Sequence, residues 1–108
     1  MNNTSEFIIS GFLLDEQGKN LEGAVIIDGY QGSPDVSTNA DGYFKVHFNK
    51  LSIWDIMFRH ALYIFVKEGN RTQGKMLYRF VMRRNKELIL KIFPFSKKVV
   101  ESWQPIGA

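Results

Sequence analysis

Short apolar runs recur along the chain, each closed within a few residues by a glycine, asparagine or aspartate turn signal, and that spacing points to an all-β domain. The first run is Phe7-Ile8-Ile9-Ser10-Gly11-Phe12-Leu13-Leu14, and it stops at Asp15-Glu16-Gln17-Gly18. Asp at the first and Gly at the fourth position suit a type I turn. Ala24-Val25-Ile26-Ile27 follows Gly23, and its unbroken apolarity predicts a short strand covered on both faces. Residues 29–35, with Gly32 and Pro34, read as a loop, and residues 36–38 as a short strand. Asn39-Ala40-Asp41-Gly42 then turns the chain into residues 43–48. There Phe44, Val46 and Phe48 share one face while Lys45 and His47 share the other. Residues 62–67 form a further strand, ended by Glu68-Gly69-Asn70. Residues 75–82 and 87–93 read as a hairpin across Arg83-Arg84-Asn85-Lys86. The pattern predicts about seven strands in a sandwich, and the length of 108 residues suits one domain.

Two segments break the rhythm. Residues 49–60 have helical spacing: Ser52 is an N-cap candidate with Asp55 three residues on, Ile53, Ile56 and Met57 fall on one face, and Trp54 and Phe58 on another. The tail, 94–108, carries Pro94 and Pro105 and makes a poor core strand.

Composition removes several functions. With no cysteine there is no disulfide framework, thiolate metal site or Cys nucleophile. No apolar run approaches the roughly 18 residues of a membrane helix, so no membrane span is expected. The N-terminus lacks a basic stretch followed by an apolar one, so a cytoplasmic chain is expected as written, with a place in a secreted or envelope-associated assembly left open. The net charge of +3 is unevenly spread: residues 1–54 hold three basic against seven acidic residues, and residues 55–108 hold eleven against four. Such asymmetry suits an acidic partner or head-to-tail self-association.

Residues 9–25, with Gly11 central in a strand, Asp15 and Gly18 in a turn, then Leu21 and Gly23-Ala24-Val25, resemble the opening of carboxypeptidase regulatory-like domains. Ser37-Thr38-Asn39-Ala40-Asp41-Gly42-Tyr43-Phe44 is similar to that family's second signature, and Tyr63-Ile64-Phe65-Val66-Lys67-Glu68-Gly69 to its third. The resemblance covers 7–93 and implies a transthyretin-like (prealbumin-like) Greek-key β-sandwich, with 49–60 as an insertion and 94–108 as an extension. It implies no single function, because the scaffold decorates peptidases, receptors, adhesins and secretion machinery.

Chemistry is sparse. His47 and His60 are the only histidines, too few for a His-based zinc site without carboxylate help. Ser37, Asn39, Asp41 and Gly42 imitate the start of an EF-hand loop, in which Asp41 would bond nearby backbone N–H groups. The required acid falls on Phe48, so the segment reads as a turn. No G-x-S-x-G elbow or phosphate loop occurs. Transthyretin-like hydrolases carry a C-terminal Tyr-Arg-Gly-Ser signature, which Tyr78-Arg79-Phe80-Val81 does not match. No catalytic residue, cofactor or metal is therefore expected, and the chain reads as no enzyme.

Candidate contact residues are Trp54, Phe58, Trp103 and Ile106, which lie in the two segments foreign to the family, with Lys97 and Lys98 beside them. Arg79, Arg83 and Arg84 form a second candidate patch for an acidic partner. No RRM, KH or OB signature accompanies them, so nucleic acid is disfavoured. The expectation is a structural or protein-interaction module of a bacterial or phage assembly, or an accessory domain, with a protein partner or further copies of itself. The alternative is a small-ligand or glycan-binding accessory domain, marked by an aromatic platform on one sandwich face. A transthyretin-like hydrolase is kept only because the fold permits it.

Overall fold

The computed structural model describes residues 5–28, 36–68 and 71–107. The loop read over 29–35, the turn positions 69–70 and the head of the N-terminal stretch at 1–4 lie outside the described residues. Eight strands and one helix follow in order: β1 Phe7–Leu13, β2 Val25–Asp28, β3 Val36–Ser37, β4 Tyr43–Phe48, α1 Ile53–Met57, β5 Arg59–Glu68, β6 Arg71–Val81, β7 Lys86–Phe93 and β8 Lys98–Pro105. They form two four-stranded sheets, β4-β1-β7-β8 and β3-β2-β5-β6.

Period-2 alternation decides what most strands bury, β1 being covered on both faces from Phe7 to Gly11. The inner row of the first sheet is Phe7, Ile9, Leu13, Phe44, Val46, Phe48, Leu88, Leu90 and Ile92; the second sheet answers with Ala24, Ile26, Leu62, Ile64, Val66, Tyr78 and Phe80. Phe7 stands at the centre of an aromatic cluster, with ring centroids 6.0 Å from both Phe48 and Phe80. In β2, Ile26 is buried and Val25 and Ile27 are half-buried, so one face is fully covered and the other in part.

The turns follow the local sequence. Gly18 donates its N–H to the Asp15 carbonyl at 3.0 Å, and the Asp15 carboxylate accepts from the N–H groups of Gln17 and Lys19. At the second turn the side chain that accepts backbone N–H bonds is Asn39, from Asp41 and Tyr43, and not Asp41 as its spacing suggests. Thr38 is buried just after β3, and its hydroxyl ties that strand to the segment leading into β2 by accepting from Ala24 N–H at 3.0 Å and donating to the Leu21 carbonyl.

Four expectations need correction. The strands number eight among the described residues, where the spacing gives about seven. β6 and β7 are not a hairpin: β6 pairs with β5, whereas β7 pairs in parallel with β1, so residues 82–85 carry the chain from one sheet to the other. The tail is not an extension. It is β8, antiparallel to β7 with Leu88 opposite Trp103 and Ile92 opposite Val99. Its prolines fit that place, since Pro105 ends an edge strand and Pro94 is buried in the β7–β8 connection. Finally, the helical segment is shorter than 49–60, because Arg59 and His60 already belong to β5.

Candidate interaction surfaces

α1 has five residues, too few to be stable alone. It is held at both ends. Ser52 N–H donates to the Asp55 carboxylate at 2.7 Å, and Asp55 N–H donates to the Ser52 hydroxyl at 3.3 Å, completing a capping box. Phe58 N–H closes the other end on the Trp54 carbonyl, and the His60 ring nitrogen Nε2 lies 2.6 Å from the Asp55 carbonyl. An ordinary surface helix turns an apolar stripe inward. This one buries no residue. Ile53, Trp54, Met57 and Phe58 are 58–65% exposed, and Trp54 and Phe58 stack with centroids 6.0 Å apart. The result is an apolar ridge held out from one end of the sandwich.

The second surface lies where the edges of the two sheets meet. β6 and β8 are the terminal strands on the same side of the sandwich, and the Tyr78 hydroxyl of β6 donates to the Glu101 carboxylate of β8 across the gap. Burial, reinforced by the bond to Glu101 and its charge, pushes the Tyr78 phenol well above its ordinary value, so it stays a donor. Trp103 leans on Phe7 at 5.8 Å and is still 37% exposed, and the Arg83 guanidinium sits 5.1 Å over its ring. Arg59 and Arg79 complete a cleft of about 290 Å³ over Tyr78, Phe80 and Val81. Among the described residues the ion pair found is His47 with Glu6 at 3.3 Å, and these three arginines have no carboxylate within ion-pairing distance.

The structure thus joins Arg79, Arg83 and Trp103, which the sequence placed in two separate groups. Arg84 is exposed on the β6–β7 connection and does not line the cleft. Ile106 is half-buried, and its N–H donates to the Asn85 carbonyl, closing that end of the sandwich. Lys97 and Lys98 lie at the other end of β8, beside Phe93. Lys97 borders a shallow groove of about 480 Å³ on the outer face of the second sheet with Tyr63, Phe65, Lys75, Met76 and Leu77. Sequence reasoning missed Arg59, Tyr78 and Tyr63. The alternation of Tyr63 and Phe65 with the buried Leu62, Ile64 and Val66 was the signal for an outward aromatic row.

The two histidines occupy different sheets: His47 is on the exposed face of β4, and the His60 ring is 5.8 Å from Phe80. Among the described residues, no three His, Asp or Glu side chains come together as a metal site would require. No described helix is long and apolar enough to cross a membrane. In comparisons with known proteins, no family model, no curated sequence and no solved structure matches the chain.

Proposed function

We propose that the chain is a non-catalytic protein-interaction module, a subunit or accessory domain of a larger assembly of the bacterial or phage kind, and that α1 is its principal contact. The observation that carries this is the ridge of Ile53, Trp54, Met57 and Phe58. Four large apolar side chains on one short, doubly braced segment are rarely left to water in a monomer. Stacked aromatics of this type are the usual anchors of an interface and lose about 2 kcal/mol or more of binding on truncation. The occupant is an apolar groove on a partner subunit. The test compares the native chain with Trp54→Ser/Phe58→Ser by sedimentation velocity of the purified complex. Loss of a stoichiometric complex with an unchanged melting midpoint is expected. A complex that survives the double substitution refutes the assignment of α1.

A second reading is favoured by the outer groove of the second sheet, where Tyr63 and Leu77 are each 43% exposed between Lys75 and Lys97. Such an aromatic platform suits a glycan or small ligand. Glycan binding lost on Tyr63→Ala would select it.

A further inference from the structure

We infer that β6 is a docking edge for an acidic, extended peptide segment of a partner, which would pair along β6 as an added strand of the second sheet. The inference rests on reading the chain as an interaction module, and it identifies a second contact with its own recognition chemistry.

β6 is the longest strand, eleven residues, and among the described residues it pairs only with β5. From Gly74 to Val81 no second strand pairs with its other side among the described residues, and such an edge is a template for another strand. From Gly74 to Val81 the pairing with β5 is regular, the irregularity lying at Val66 and Lys67. Over that stretch Tyr78 and Phe80 face the core, and Lys75, Leu77 and Arg79 face outward. Exposed edges are often protected by cations, and Lys75 and Arg79 serve that purpose against a second copy of the same edge, since like charges placed opposite each other repel. The same two cations attract a strand of opposite sign.

The register defines what that strand must carry. Tyr63 lies opposite Leu77, and Ile27 opposite Tyr63, so Ile27, Tyr63 and Leu77 form one apolar row across the sheet. An apolar residue of the incoming strand would extend it. Two positions away on either side the strand would face Lys75 and Arg79, which call for carboxylates. The segment therefore reads acidic–x–apolar–x–acidic, with all three side chains on the outer face. The alternate positions lie over the seam closed by Tyr78, Glu101 and Trp103. Arg83 and Arg59, with no ion-pair partner among the described residues, add positive potential at one end of that track. An extended peptide is favoured over a nucleic acid because the spacing of charge and apolar surface matches the two-residue repeat of a strand.

The test is fluorescence anisotropy of a labelled synthetic nonapeptide carrying Glu-x-Leu-x-Glu, titrated with the intact chain. Arg79→Glu should weaken binding by roughly tenfold or more, and Trp54→Ser/Phe58→Ser should leave it unchanged. Two further peptides, N-methylated at alternate odd or even positions, separate strand pairing from simple charge attraction. Only the version whose methylated amides face β6 should lose binding. Equal binding of both, or equal binding of a scrambled peptide of the same charge or of single-stranded DNA, would overturn the inference. Loss of peptide binding while the α1-dependent complex persists removes this contact alone; loss of the α1 complex with peptide binding intact removes the other.

Discussion

Two glycines show how differently a residue can be required. A Cβ on Gly11 would lie 2.0 Å from the Leu90 carbonyl oxygen, because β1 and β7 approach closely at that point. The obstacle is backbone, which cannot move aside, so Gly11→Ala should cost about 3 kcal/mol or prevent folding. Gly42 has φ of +73° and a Cβ there would meet the Leu13 oxygen at 2.8 Å, so Gly42→Val combines strain with a clash and should cost more than about 1 kcal/mol. Chemical denaturation of both variants checks the pair, and an unchanged midpoint in either refutes its account. Tyr78 makes a prediction of sign. Its phenol is raised in the folded state, above the ordinary value of about 10 that holds when unfolded. Its contribution is therefore full below pH about 10 and is lost as pH rises beyond it, because the unfolded chain then ionises more readily. The stability difference between the native chain and Tyr78→Phe should stay constant below that pH and shrink only above it. A difference that already shrinks at lower pH would exclude the mechanism. The turn residues Asp15 and Gly18 were legible in the sequence because their bonds span four residues. The reason for Gly11 was not, since the Leu90 carbonyl that fills its place is far along the chain.

At the scale of elements, short apolar runs closed by turn signals identified every strand but β8, and the helix was found by its cap. What the sequence hid was pairing. Two strands joined by Arg83-Arg84-Asn85-Lys86 look locally like a hairpin, but Met82 is buried and Asn85 takes φ of +59°, so the chain turns out of one sheet into the other. The parallel register of β1 with β7, which decides that path, has no local signature. The tail was obscured in the same way: its prolines argue against a central strand and are indifferent to an edge. As β8 it places Val99 against the core and Trp103 against Phe7. Removal of residues 95–108 should therefore bare one whole edge of β7 and unfold the domain, or lower its melting temperature by more than about 10 °C. The exposed pair Trp54 and Phe58 should be replaceable with almost no effect on melting. A truncated chain that melts like the whole one would mean that β8 contributes a surface and not a structural strand.

For the whole molecule, the uneven charge of the sequence becomes a direction in space. In the first sheet β4 and β1 lie to one side and β7 and β8 to the other; in the second, β3 and β2 are followed by β5 and β6. The bond from Tyr78 to Glu101 shows that the β6 and β8 edges coincide. The first half of the chain, acid-rich, thus forms one flank of the sandwich, and the second half, with eleven basic residues among 55–108, forms the other. A net charge of +3 understates such a molecule. Near a charged surface it should turn its β6–β8 flank forward, because fields from charges within a Debye length of about 8 Å at physiological salt dominate the interaction. Two substitutions isolate this effect. Lys45→Glu on β4 and Arg83→Glu beside Trp103 each remove a positive charge and add a negative one, so both take the net charge from +3 to +1. If the molecule behaved as a uniform ball of charge, both would leave a sulfonate cation exchanger at the same salt concentration. The segregated arrangement requires Arg83→Glu to elute distinctly earlier than Lys45→Glu, and Lys45→Glu to stay close to the native chain. Coincident elution of the two variants would show that the flanks do not act separately, and that the asymmetry of the sequence is averaged out by the fold.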